Sequence, residues 1–161
     1  MLRVEMEVAS ALMIIHGLVA VALLGAITHQ TLAAWAPAVP RQDSFFARFR
    51  SVPPASFANA IVALYLAAAL LGASLYLYFR VDVRPALERS GHWEALGLFD
   101  LKEHFISIGL GVLPAYWLLW RRPAAEDSRR MRAILTAILA FIVWWAFLVG
   151  HVMNDIMGFG Q

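Results

Sequence analysis

Residues Asp100 to Trp120 read DLKEHFISIGLGVLPAYWLLW. From Phe105 onward the stretch carries no charge, and as a helix it nearly fills the roughly 20 apolar residues that a bilayer core takes. Yet it is entered through Asp100, Lys102, Glu103 and His104. Either these side chains are a helix end meeting water, or part of the entry belongs to a buried site. The choice depends on what the rest of the chain can bring to the same level.

The remaining sequence is that of a membrane protein. Of 161 residues, 61% are hydrophobic and 15% charged, and the mean hydropathy is +0.69. A soluble domain averages about 45–50% apolar and about 25% charged residues, so this chain has too little polar surface to coat a globule in water. It reads as one integral membrane domain spanning residues 1–161. The pI of 9.4 does not indicate nucleic acid, because the arginines are scattered at helix ends and follow membrane topology instead. With no cysteine, disulfides, thiolate metal sites and iron–sulfur clusters are excluded. The N-terminal run MLRVEMEVASALMIIHGLVAVALLGAITHQTLAAW mixes Arg3 with Glu5 and Glu7. Its apolar part is longer than a signal core of about 7–15 residues, so it is expected to stay as a first span.

Four spans are predicted, at about 8–34, 57–79, 101–120 and 133–153, forming an all-α four-helix transmembrane bundle. Most of the prolines fall in or beside the breaks, and Pro114, inside the third span, is expected to kink it. The first break carries Arg41, Arg48 and Arg50 against Asp43. The third carries Arg121, Arg122, Arg129 and Arg130 against Glu126 and Asp127. The positive-inside bias then places both breaks in the cytoplasm and both termini on the outer, periplasmic side of a bacterial inner membrane.

Ionisable residues inside a membrane usually face a bundle interior or cavity. With this topology His16, His104 and His151 all fall in the outer half. His29 lies roughly 20 Å further down the first span at about 1.5 Å per residue; it and His92 read as an interfacial residue and a loop residue. Asp100, His104, Ser107 and Gly111 share one helical face. Ala140, Trp144, Phe147, His151 and Asp155 share another, and His16 shares a third with Leu12, Ala20, Leu23 and Ile27. The third and fourth spans mirror each other, D-x-x-x-H going in and H-x-x-x-D coming out. Lys102 and Glu103 are expected to face the headgroups.

Two kinds of ligand suit such a site. A b-type haem takes two imidazoles from facing helices, here His16 and His151, with His104 able to replace either. Gly17, Gly150 and Gly111 would let the flat macrocycle approach, the alanine-rich LYLAAALLGAS of the second span could pack against it, and Trp144 would border it. Lys102, Arg80, Arg84 or Arg3 would meet the propionates. Alternatively, His16, His104 and His151 with Asp100 and Asp155 suit a Cu, Zn or non-haem Fe ion, the acids binding directly or orienting the imidazoles. A third reading is a cofactor-free accessory subunit of a larger respiratory or photosynthetic complex, its aromatic residues serving as interfacial belts.

The run ALMIIHGLVAVALLGAITH, with its early His16, and the third-span entry DLKEH, with Lys102, resemble four-helix membrane haem proteins of the HemJ and CopD-like type. The resemblance covers these two patches and implies haem b. The expected function is that of a membrane cytochrome, passing electrons between a quinone and partner membrane or periplasmic redox subunits. If the chain is an enzyme, it is an oxidoreductase component.

Overall fold

The computed structural model describes residues 2–35, 53–122 and 126–157. Residues 36–52 of the first break, with Arg41, Asp43, Arg48 and Arg50, lie outside the described residues. Four long helices make the molecule: α1 (Leu2–Trp35), α2 (Ala58–Tyr78), α4 (Trp93–Arg121) and α5 (Glu126–Met157). A 3-10 turn, Pro54–Phe57, leads into α2. A π turn, Phe79–Val83, and a short helix α3, Arg84–Arg89, connect α2 to α4. No strand occurs among the described residues.

The connection predicted as a loop between the second and third spans is therefore almost entirely helical. Its sequence explains why. Pro85 sits in the first turn of α3, where its missing N–H costs nothing, and Leu87 gives α3 a fully buried anchor. The chain reverses only at Ser90–His92, where Gly91 takes φ 76°, a left-handed conformation that glycine adopts without a Cβ penalty. Helix α4 consequently starts earlier than expected, and it runs through Pro114 as one helix.

Helix α1 packs along both α2 and α5, and α5 also packs along α4, while α2 and α4 meet over a shorter length. The main core sits among Leu23, Ile27, Ile61, Leu113, Leu139 and Val143. Three polar ties cross it. The Tyr116 hydroxyl donates to Gln30 Oε1, Gln30 Nε2 donates to the Pro54 carbonyl at 2.9 Å, and Trp120 Nε1 donates to Thr136 Oγ1 at 3.1 Å. The polar groups of these three ties are thereby satisfied inside apolar surroundings, where an unmade bond is expensive. A second cluster, Phe79, Leu87, Ala95, Leu96, Val149 and Met153, packs α3 and the start of α4 onto the end of α5.

Among the described residues three helical stretches are long and apolar enough to cross a membrane: Glu7–Trp35, Pro54–Arg89 and Ser128–Ile156. Apolar side chains such as Leu18, Leu32, Leu70, Leu77, Phe141 and Leu148 point outward, as a bilayer-facing surface requires. Helix α4 does not reach the same apolarity, because Lys102, Glu103 and His104 stand at its entry. The four-helix architecture matches the sequence expectation; the fourth apolar span does not follow from length and composition alone.

Candidate functional site

At the end of the bundle where α1 begins, α2 ends, α4 begins and α5 ends, the helices part. They leave a cavity of about 720 Å³ lined by all four, within the roughly 300–1,000 Å³ range of ligand pockets. Its walls are mostly apolar. Small residues line it from three helices: Gly17 and Ala20 on α1, Ala69, Gly72 and Ala73 on α2, Gly150 on α5. Tyr76, Phe79 and Phe99 stand on one side as an aromatic stack, the Phe79 and Phe99 ring centroids 3.8 Å apart. The floor is Tyr65, whose hydroxyl donates to the Ile106 carbonyl at 3.0 Å. The cavity also reaches the outside of the bundle, since Val21, Tyr78 and Leu110 both line it and are exposed.

His16 is half-buried and lines this cavity. Its ring rests on α2, with Cε1 3.4 Å from where a Cβ at Gly72 would stand. The Ala68 carbonyl lies beside the imidazole, and among the described residues no hydrogen bond closes to Nδ1. A Cβ at Gly72 would thus stand in van der Waals contact with the His16 ring, which marks how closely α1 and α2 approach here. Gly72 was passed over in the sequence, although the small-residue run around it pointed to close packing. Gly17 and Gly150 both line the cavity with open space where a Cβ would project.

His151 lines the cavity from α5 at its rim; its side chain is exposed, with Nε2 3.9 Å from the Asp155 carboxylate one turn on. The remaining expected site residues lie elsewhere. His104 is exposed and its Nδ1 lies 2.6 Å from the carbonyl oxygen of Asp100, one turn back on its own helix. Asp100 does not turn to His104 at all: its carboxylate accepts from Arg84 Nη1 at 3.3 Å, and Arg84 Nε also holds Glu88 at 3.1 Å. Trp144 is exposed and donates to Thr28 Oγ1 at 2.9 Å, tying α5 to α1 outside the cavity. Gly111 is exposed, and the glycine of α4 with a packing role is Gly109. Among the described residues no group of three or more His, Asp or Glu side chains comes together to hold an ion, so His16, His104, His151, Asp100 and Asp155 do not converge.

The charged entry of α4 is therefore divided the opposite way from expectation. Lys102 and Glu103 line the cavity, while Asp100 and His104 turn away from it. The reason is helical phase. The buried stripe of α4 runs Trp120, Tyr116, Leu113, Gly109, and its continuation in steps of three and four passes Ile106, Lys102 and Phe99. Lys102 Nζ sits 4.7 Å above the Phe99 ring and 3.5 Å from Glu103 Oε1, with only 15% of its side chain exposed.

Fold and site together define an all-helical, apolar-surfaced bundle with a ligand-sized cavity open at one end. No protein-family model, curated protein or solved structure matches the chain.

Proposed function

We propose that this chain is a four-span membrane protein that binds a b-type haem in the cavity and carries single electrons between a quinone and a partner redox protein. The observation that carries the reading is His16, an imidazole laid on the glycine of a neighbouring helix and facing a 720 Å³ apolar cavity with small-residue walls. Flat aromatic macrocycles need that kind of wall, and an imidazole is a common haem ligand. His16 would hold the iron from α1. His151, the other histidine lining the cavity, is placed to serve from α5. Haem supplies the one-electron chemistry; the chain supplies the ligands, an apolar wall and the exclusion of water. The likeness of the first span and of the DLKEH entry to HemJ and CopD-like haem proteins supports the same class.

Helix α4 crosses as the fourth span in this reading. Its entry charges are turned to the cavity and to Arg84 rather than to lipid, which lowers the cost of bringing them to membrane depth. The positive-inside tendency of the exposed Arg129 and Arg130 at the opposite end supports a cytoplasmic position for that end and an outer position for both termini.

The test is a reduced-minus-oxidised optical spectrum of protein purified in detergent from haem-replete cells, with iron measured on the same sample. A sharp α band and about one iron per chain are expected, both lost in His16→Ala. A flat spectrum overturns the haem reading.

A further inference from the structure

We propose that Lys102 is the anion-binding residue of the cavity and seats a carboxylate borne by an otherwise apolar ligand. A lysine near the end of a membrane helix usually extends its stem so that the ammonium reaches water. Lys102 does the reverse. Its side chain lies inward over Phe99 with 15% exposure, lining the cavity that also holds His16. A cation held among apolar walls requires a counter-charge. Among the described residues its ion-pair partner is Glu103, at 3.5 Å, longer than a well-made N–H···O bond of about 2.7–3.2 Å. An ammonium carries three donors, so this contact leaves donors to spare.

Among the described side chains, which do not include Arg3, the other cations at this end leave that role to Lys102. Arg84 is engaged by Glu88 and Asp100, and Arg80 is exposed and does not line the cavity. The ligand class follows from the walls: a mostly apolar body for the cavity and one acidic group for the ammonium. With haem as that ligand the group is a propionate, and this identification rests on the reading above. The anion site itself rests only on the geometry of Lys102.

The experiment compares probes that differ in the acid alone. Purified protein in a zwitterionic detergent is titrated with hemin and with its dimethyl ester, then with palmitic acid and methyl palmitate, using wild type, Lys102→Gln, Lys102→Arg and Glu103→Gln. Wild type is expected to prefer an acid over its ester by about tenfold or more, as for a bond to a charged group. Lys102→Gln abolishes the preference by weakening the acid and sparing the ester. Lys102→Arg retains part of it, and Glu103→Gln strengthens acid binding, which a merely structural lysine would not produce. Equal binding of acid and ester by wild type overturns the proposal even if hemin gives an axial-ligand spectrum lost in His16→Ala. If neither porphyrin binds, the haem reading fails, and the fatty acid pair decides: a preference that depends on Lys102 sustains the anion site, and no preference overturns it. Displacement of the acid probe by phosphatidylglycerol but not by excess fatty acid assigns Lys102 to a headgroup phosphate and also overturns it.

Discussion

The phenol of Tyr65 occupies the notch that Gly109 leaves in α4. A Cβ at Gly109 would stand 1.9 Å from the Tyr65 hydroxyl oxygen and 2.7 Å from Cζ, and the same hydroxyl is anchored to the Ile106 carbonyl. The contact joins α2 to α4, the neighbours that otherwise touch least, and it forms the floor of the cavity.

Gly109→Ala is therefore expected to destabilise the protein by about 1–3 kcal/mol through overpacking. Thermal unfolding in detergent checks this. Adding Tyr65→Phe should recover only part of the loss, because Cζ remains too close; adding Tyr65→Leu should recover more. An unchanged midpoint for Gly109→Ala would mean that the notch is not as tight as the helix contact implies.

The Gln30–Tyr116 pair is fully buried. Tyr116→Phe leaves Gln30 Oε1 without its donor in a dry interior and should cost about 1–3 kcal/mol. Gln30→Leu also strips a donor from the Pro54 carbonyl. A double-mutant cycle in chemical unfolding is expected to show coupling between the two positions; strict additivity would separate them.

Asp100 is an ion-pair partner of Arg84 at a partly exposed site, the two side chains being 46% and 27% exposed. Pairs of that kind contribute roughly 0–1 kcal/mol. Asp100→Asn should shift stability within that range, more at low salt than at high salt, and should leave any haem spectrum unchanged. A lost or shifted α band would return Asp100 to the ligand site.

His16, His104 and His151 are expected to behave differently from one another. His16→Ala removes haem. His104→Ala leaves spectrum and stability nearly unaltered, since His104 is exposed and bonds only to its own helix. His151→Ala changes the axial-ligand signature without emptying the cavity of haem, as judged by electron paramagnetic resonance of the oxidised protein.

How far the sequence carried the fold can be seen residue by residue. Hydrophobic runs and proline-rich breaks located the long helices, because burial and backbone hydrogen bonding act on runs of residues. The face of α1 was also legible: Leu23, Ile27 and Gln30 are buried, and a step or two back reaches His16. On α4 a face assigned by its histidine is the wrong one, since His104 is exposed and the buried stripe lies elsewhere. The stripe Trp120–Tyr116–Leu113–Gly109, followed backward, passes through Lys102 and misses His104. On α5 the error was about one residue of phase: Ala140 is buried while Trp144, on the same assumed face, is 42% exposed. Gly72 and the Arg84–Asp100 pair depend on how helices meet and on the helical run through α3, and a single sequence does not specify those contacts.

The composition of α4 has a consequence for how the protein is made. Its three neighbours each contain a stretch long and apolar enough to cross a bilayer unaided. Helix α4 carries Asp100, Lys102 and Glu103 on entry, and such residues oppose partitioning of a lone helix. They find their surroundings only in company: Arg84 arrives with the preceding hairpin, and the wall that receives Lys102 includes α1 and α2. In the proposed four-span arrangement, integration of α4 would therefore depend on the helices that precede it. Lys102 and Glu103, which equip the cavity, are thus also residues that would make this helix depend on its neighbours for a place in the membrane.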